Sequence, residues 1–291
     1  MKKVILIQLL LGVYLVYAGN FEAVCVGIND LRSWSWPVLE YMEKDARDMR
    51  DMLYEQGFHN VITLIGSGAD EISIKYYIEH MSQEEGDKCV FYFSGHGQRG
   101  YTYYGTQSYL ATYNYPDSPQ LLFAYELGGL FLTDNFSCII EACYSGGFRT
   151  VIDDGVILTS CNDLESSIEL EDLQHGLFTH FILEGMANNE ADDSDNGNFV
   201  SVEELYSYSL NRVLARNSNQ HVQLGDNFSG EFNLTVDSGS NLPPIPAETL
   251  PLTRHFPECA KMWFTRKRFS PRNCTYFPEK EPIFNPTTNK L

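Results

Sequence analysis

Two short segments rich in glycine carry the residue types that thiol chemistry needs. His96 lies between Gly95 and Gly97, and Cys143 is followed by Tyr144-Ser145-Gly146-Gly147. A thiol becomes a good nucleophile once it is ionised, and a nearby imidazole can take its proton. Glycines let a substrate approach the backbone closely, and backbone amides can stabilise an oxyanion. The pattern predicts Cys143 as nucleophile, His96 as general base, and the amides of Gly97 and Cys143 as oxyanion donors.

Each of these motifs follows an apolar segment that is typical of a buried strand. Cys89–Phe93 runs directly into the His96 motif, and Cys138–Ala142 ends at Cys143. Because the carboxyl ends of parallel strands gather at one edge of a sheet, we expect the two side chains to meet there. The alternative is a strand-end cysteine and a loop histidine that never meet. The presence of both motifs at strand ends disfavours that alternative.

The rest of the chain alternates between strand and helix patterns. Apolar runs predict further strands at Phe21–Ile28, Val61–Ile65 and Val156–Ser160, with a last edge strand at Phe232–Val236. Helical spacing predicts helices at Val38–Gln56, Glu71–Ser82, Ala124–Leu132, Leu177–Met186 and Val202–Ala215. Residues 98–120, rich in Tyr, Gly, Asn and Pro, are predicted to form a long loop. The alternation predicts an α/β fold with a mainly parallel sheet covered by helices on both faces.

Charge and cysteine usage exclude several classes of protein. The formal net charge is −19, whereas nucleic acids and anionic membranes require a basic surface. We therefore expect no nucleic-acid partner. The 7 cysteines include no CxxC pair, which argues against a zinc ribbon and against a disulfide scaffold.

The two ends of the chain differ in composition from its middle. Lys2 and Lys3 precede an uncharged run from Val4 to Ala18, the order of a secretory signal peptide. This run is shorter than the roughly 20 residues of a membrane span, although an uncleaved signal anchor is the alternative. We expect a signal peptide at 1–18, a single domain at 19–238 and a Pro-rich basic tail at 239–291. The expected location is the secretory pathway (an extracellular or lytic compartment, or the periplasm of a bacterium), with no membrane contact after cleavage.

The motifs resemble those of a known family. Tyr92–Gly97 and Glu141–Gly147 are similar to the two catalytic motifs of caspase and metacaspase cysteine peptidases, with the bacterial-type members closest in character. The resemblance spans about residues 21–236. Its other matching segments are Val26–Asn29, Asp45-Ala46, Thr159–Cys161, Glu165, Glu169, His175–Thr179 and Asp193–Leu205. It implies a caspase-like three-layer fold and an enzyme that attacks a peptide carbonyl of a protein or peptide substrate. No cofactor is required for that chemistry. True caspases are cut into two subunits, but only a short stretch joins Gly147 to Val156 here, so we expect a single-chain enzyme.

The resemblance also implies a substrate preference. In metacaspase-like proteins, acidic residues at the positions of Asp45 and Glu141 line a pocket for Arg or Lys, with Ser94 nearby. Carboxylates select a cationic side chain by charge pairing, so we expect cleavage after Arg or Lys. The chain has Glu141 where metacaspases commonly have Asp. The alternative for Asp45 is a solvated residue on a helix surface.

Other functions remain compatible with the same motifs. The related legumain family cleaves after Asn and also performs transpeptidation, but it carries an acidic residue directly after the cysteine, where this chain has Tyr144. A catalytically silent caspase-like binding module and a secreted acyl-transferring ligase are further alternatives. The sequence leaves the oligomeric state undecided.

A second segment has the spacing of a calcium loop. Residues 193–204 fit a twelve-residue EF-hand loop between two predicted helices. The predicted Ca²⁺ ligands are Asp193, Asp195, Ser201 and Glu204 with the Phe199 carbonyl. Position five is Gly197, which offers no side-chain ligand. The alternative is a simple turn, so Ca²⁺ is a candidate cofactor only.

Overall fold

The computed structural model describes residues 19–33, 35–81, 84, 87–103, 105–113, 120–131, 133, 135–150, 155–193 and 198–235 of the chain. The strands are β1 (Phe21–Gly27), β2 (Asn60–Ile65), β3 (Lys88–Ser94), β4 (Gly97–Thr102), β5 (Gly105–Thr112), β6 (Gln120–Phe123), β7 (Phe136–Glu141), β8 (Val156–Thr159), β9 (Glu169–Leu170), β10 (His175–Gly176) and β11 (Gln223–Asp226). The helices are α1 (Met42–Glu55), α2 (Glu71–Glu79), α3 (Ala124–Gly128), α4 (Leu177–Met186) and α5 (Val202–Arg216). The predicted signal peptide and tail lie outside the described residues.

The central sheet has six strands in the order β11-β8-β7-β3-β1-β2. The neighbours β8-β7-β3-β1-β2 pair in parallel, and β11 pairs antiparallel with β8 at one edge. This arrangement confirms the predicted mainly parallel α/β sheet. Since β3 and β7 are adjacent and parallel, the segments that follow them leave the sheet at the same edge.

Helices cover both faces of this sheet, which explains why its strands are apolar along their whole length. In β1, Val24 and Val26 face the core that contains α2 and α3. The alternate residues Ala23 and Cys25 face the core that contains α1, α4 and α5. A strand buried on both faces needs apolar side chains on both, so continuous runs replace alternating ones. The result is three layers.

The predicted long loop at residues 98–120 is wrong. Within its described part the chain forms a three-stranded antiparallel sheet in the order β4-β5-β6. Leu110 and Leu122 are fully buried in the core of the molecule, which anchors the sheet. Tyr and Thr, which are frequent here, favour strands, and Gly105 has a φ of 97° at the turn between β4 and β5. Residues 114–119 lie outside the described part.

The predicted edge strand at Phe232–Val236 is also wrong for its described residues. Only an isolated bridge joins Asn233 to Ser201, and the antiparallel edge of the sheet is β11 instead. Phe232 and Leu234 are buried against the core beside α5, so burial without a strand partner explains their apolar character.

Helix α1 begins at Met42, four residues later than predicted. The preceding residues belong to a loop that lies over the site described below. Among the described residues, no helix combines the length and the apolar character that crossing a membrane would need. The cysteines of the described part are free thiols, and Cys143 is the one of them that is not fully buried.

Candidate active site

Cys143 lies just beyond the end of β7, at a sharp turn. Tyr144 has a φ of 58°, in the left-handed region that costs a non-glycine residue about 1–2 kcal/mol. Its amide donates to the Glu165 carbonyl at 2.8 Å, and its carbonyl accepts from the Ser108 hydroxyl at 2.7 Å. These bonds hold the turn and leave Cys143 half-buried, with its Sγ 3.6 Å from the Ser167 carbonyl oxygen.

His96 lies between β3 and β4, and its ring is held by the loop before α1. Its Nε2 lies 2.7 Å from the Pro37 carbonyl oxygen, and Trp36 packs against the ring at a centroid distance of 5.0 Å. Because a carbonyl only accepts hydrogen bonds, Nε2 must carry the proton, and Nδ1 of the neutral ring is left as the basic nitrogen. Burial lowers the pKa of His96, against the opposing effects of Pro37 and of the Glu169 charge. The neutral, proton-accepting form is thereby favoured.

One cavity of about 540 Å³ is lined by both His96 and Cys143. Its other lining residues include Trp36 and Pro37 from the loop before α1, and Ser167 from the segment after β8. The structure therefore brings the two predicted catalytic residues to the same edge of the sheet, as adjacent parallel strands require.

Gly97, a predicted oxyanion donor, lies against the backbone of Cys143. The Ala111 amide donates to the His96 carbonyl, which makes Gly97 and Leu110 a pair that is not hydrogen-bonded across the ladder. The Gly97 amide is therefore not used by β5. A Cβ on Gly97 would overlap the Cys143 carbonyl oxygen, so the two backbones approach as closely as glycine allows.

The cavity is acidic. Its described lining residues include two acidic side chains, Glu141 and Glu169, and neither Lys nor Arg. Glu141 is 2% exposed and accepts from the Thr179 amide at 2.8 Å and from the Ser167 hydroxyl. Burial, and then the neighbouring charge of Asp45, raise the pKa of Glu141 to about 7.

Residues 22–224 match the caspase domain of the Peptidase_C14 family. The chain belongs to the caspase-domain family. Caspase domains are generally cysteine peptidases, hydrolases that act on protein or peptide substrates. The family match confirms the resemblance seen in the sequence.

Solved structures share the caspase-like fold. A crystal structure of protein GSU0716 from Geobacter sulfurreducens is 18% identical with a TM-score of 0.55, and the match covers 77% of this chain and 100% of that one. Caspase-1 from Spodoptera frugiperda is 13% identical with a TM-score of 0.56, over 77% of this chain and 92% of that one. No curated protein matches the chain. At these identities the structural likeness concerns the fold.

Glu169 is a member of this caspase-domain cavity that sequence reasoning did not assign to the site. Its carboxylate accepts from the amides of Glu40 and Tyr41, at 3.0 Å each, just before α1. The residue lies in β9, after a stretch that has no periodic pattern. In the sequence, only the family resemblance drew attention to it, and that resemblance gave it no role in the site.

Asp45 and Ser94 lie behind the cavity and are not among its described lining residues. Asp45 is fully buried and accepts from the Ser94 hydroxyl at 2.8 Å and the Gly176 amide at 3.2 Å, and its other oxygen lies 2.6 Å from His175 Nδ1. Burial raises the pKa of Asp45, and the hydrogen bond with His175 opposes that rise. Its charge acts on Glu141 from behind.

The predicted calcium ligands are only partly gathered. Carboxylate oxygens of Asp193 and Glu204 lie with one of Asp192 within 4.8 Å of one another. Ser201 and Glu204, however, form the capping box of α5, each side chain accepting from the other residue's amide. Asp195 lies outside the described residues. Carboxylates are ligands that suit Ca²⁺, and calcium binding stays a prediction.

Proposed function

We propose that this caspase-domain protein is a cysteine endopeptidase that cleaves after Arg or Lys, with Cys143 as nucleophile and His96 as general base. The observation that carries the proposal is that both residues line one cavity whose described lining residues include two acidic side chains, Glu141 and Glu169, and neither Lys nor Arg.

The chemistry follows from the tautomer of His96. With its Nε2 proton committed to Pro37, His96 accepts the thiol proton at Nδ1, and Cys143 Sγ attacks the substrate carbonyl carbon. The oxyanion that forms accepts hydrogen bonds from the amides of Gly97 and Cys143. When the tetrahedral intermediate collapses, the C–N bond breaks and the imidazolium gives its proton to the leaving amine. Water, deprotonated by His96, then hydrolyses the thioester.

The preference for a cationic P1 side chain rests on the charge of the cavity. A guanidinium or ammonium group that leaves water for this site can form charge-assisted hydrogen bonds with Glu141 or Glu169. An Asp side chain would meet the Glu169 carboxylate and the partly ionised Glu141, with no Lys or Arg among the described lining residues. The aliphatic stem of Arg or Lys can pack against apolar wall residues such as Leu39 and Ile168.

Peptidyl thiol-directed probes with Arg, Lys, Asn or Asp at P1 test the proposal. We expect the Arg and Lys probes to label Cys143 and the Cys143→Ala variant to lose the label. Cys89→Ala, which removes a buried thiol at the opposite end of β3, is the matched control and should keep it. Labelling by the Asn probe alone would favour legumain-like specificity, and a folded protein that no probe labels would favour a binding module.

A further inference from the structure

The loop before α1 carries the group that orients the general base. Pro37 supplies the carbonyl that binds His96 Nε2. The loop is tied to the end of β1 by Asn29, whose carbonyl accepts from the Leu39 amide and whose side chain donates to the Glu40 carbonyl, both at 2.9 Å. The orientation of the imidazole therefore depends on how firmly this loop is held.

Glu169 is the second anchor of the same loop. Its carboxylate accepts from the amides of Glu40 and Tyr41, and Tyr41 is the N-cap of α1 without a side-chain capping bond of its own. The first amides of a helix need acceptors, and a negative charge at this end is favoured. Glu169 thus satisfies the amide of the N-cap residue and the one before it, from a segment more than a hundred residues away in sequence, while the Asn29 side-chain oxygen accepts from the Glu43 amide in the first turn.

The same residue lines the substrate cavity. Glu169 enters the cavity wall as part of the segment that also carries Ser167 and Ile168. The negative charge of Glu169 acts on His96 directly and raises its pKa, in opposition to burial. The other ionisable residues that line the cavity are Tyr109, Glu141, Cys143 and Tyr144.

We propose that Glu169 is a positioning residue for His96: by anchoring the Glu40 and Tyr41 amides it holds the Pro37 carbonyl against the imidazole, and so couples the substrate-binding wall to the general base. This inference rests on the proposed function of the site. It goes beyond a role in P1 binding, because the loop is held whether or not a substrate is present.

Alkylation of Cys143 by iodoacetamide separates the two roles. This reagent is small and uncharged, so its rate reads the Cys143–His96 pair and does not depend on P1 binding. We expect Glu169→Ala to slow alkylation near neutral pH about tenfold, the effect of one displaced orienting group. Glu169→Gln keeps one acceptor oxygen and should recover part of the rate. Background labelling is set by Cys143→Ala.

Asn29→Ala is the matched variant. It loosens the loop at its other anchor and leaves the charge of the cavity unchanged, so we expect slower alkylation with an unchanged preference for Arg over neutral P1 residues. Alkylation at the wild-type rate in Glu169→Ala, with only the KM for peptidyl-Arg substrates raised, would overturn the proposal. If Glu169→Ala does not fold, wild-type rates in both Glu169→Gln and Asn29→Ala would overturn it equally.

The proposed function fails in a different way. A wild-type chain that is alkylated at Cys143 but cleaves no peptidyl-Arg or peptidyl-Lys substrate would contradict the peptidase assignment. The alkylation rates of the variants would still decide whether Glu169 positions His96.

Discussion

Gly97 leaves no room for a side chain, because an added Cβ would overlap the Cys143 carbonyl oxygen and lie 3.0 Å from the Ala142 Cβ. Backbone atoms cannot move aside as the end of a flexible side chain can. We expect Gly97→Ala to cost about 1–3 kcal/mol of stability and to abolish measurable hydrolysis. Chemical denaturation and peptide turnover measure the two effects.

Gly68→Ala provides the comparison for Gly97→Ala. An added Cβ at Gly68 would meet nothing within 4 Å, so this variant should keep wild-type stability and turnover. Full activity in Gly97→Ala would show that the two backbones are not in contact in solution, and the oxyanion role of Gly97 would lose its support.

Glu141 makes stability depend on pH. Burial raises its pKa from an ordinary 4.5 to about 7, so between these values the folded chain keeps a proton that the unfolded chain has lost. The free energy of unfolding must then fall as the pH rises through this window, by on the order of 3 kcal/mol. Urea denaturation at several pH values should show a shallower slope for Glu141→Gln. Glu55→Gln, on the exposed end of α1, should keep the wild-type slope, and an equal slope in Glu141→Gln would contradict the argument.

At the level of elements, a buried contact between Asp45 and His175 joins the short β9–β10 hairpin to α1. His175 Nδ1 lies 2.6 Å from Asp45, and its Nε2 lies 2.8 Å from the Lys44 ammonium. Removing His175 leaves one oxygen of the buried Asp45 carboxyl without its Nδ1 donor, while Ser94 and Gly176 still donate to the other oxygen. We expect His175→Ala to lower the free energy of unfolding by about 2–4 kcal/mol, measured by chemical denaturation.

An exposed ion pair on the same hairpin gives the control. Asp172 pairs with Arg216, but their side chains are 60% and 42% exposed, so Asp172→Asn should leave the free energy of unfolding almost unchanged. The double variant Asp45→Asn/His175→Ala should recover part of the stability lost in His175→Ala. No recovery would mean that the loss comes from packing and not from an unpaired carboxylate.

The strands of the main sheet were predictable because a strand that is buried on both faces has a continuous apolar sequence, as in Phe21–Gly27. The sheet β4–β6 was not predictable, because its exposed end carries the Tyr and Gly that also mark loops, and Leu110 and Leu122, which anchor it, are buried in the core of the molecule. Phe232 shows the converse case, where apolar character reflects burial without strand pairing.

The site shows the same division. His96 and Cys143 could be assigned because each directly follows a strand, so local pattern determines where it emerges. Glu169 could not, since its role depends on amides of the loop before α1. Asp45 was placed on the correct helix, but only tertiary packing reveals that His175 and Gly176 surround its carboxylate.

At the scale of the whole molecule, charge favours one class of substrate before any contact forms. The net charge is −19, and Glu169 with the partly ionised Glu141 places part of that negative charge at the point of binding. Such a field raises the encounter rate with cationic peptides, and salt screens it over about 10 Å or less at physiological ionic strength. The proposed preference for Arg or Lys is therefore reinforced by long-range attraction.

Ionic strength tests this contribution. We expect kcat/KM for a peptidyl-Arg substrate with further Lys residues to fall about threefold or more between about 0.02 M and about 0.2 M salt. The same peptide with neutral flanking residues should lose less, because it carries less charge into the field. Alkylation of Cys143 by iodoacetamide, an uncharged reagent, should hardly change. Equal losses for both peptides would show that salt acts on the protein itself, and the steering argument would then have to be abandoned.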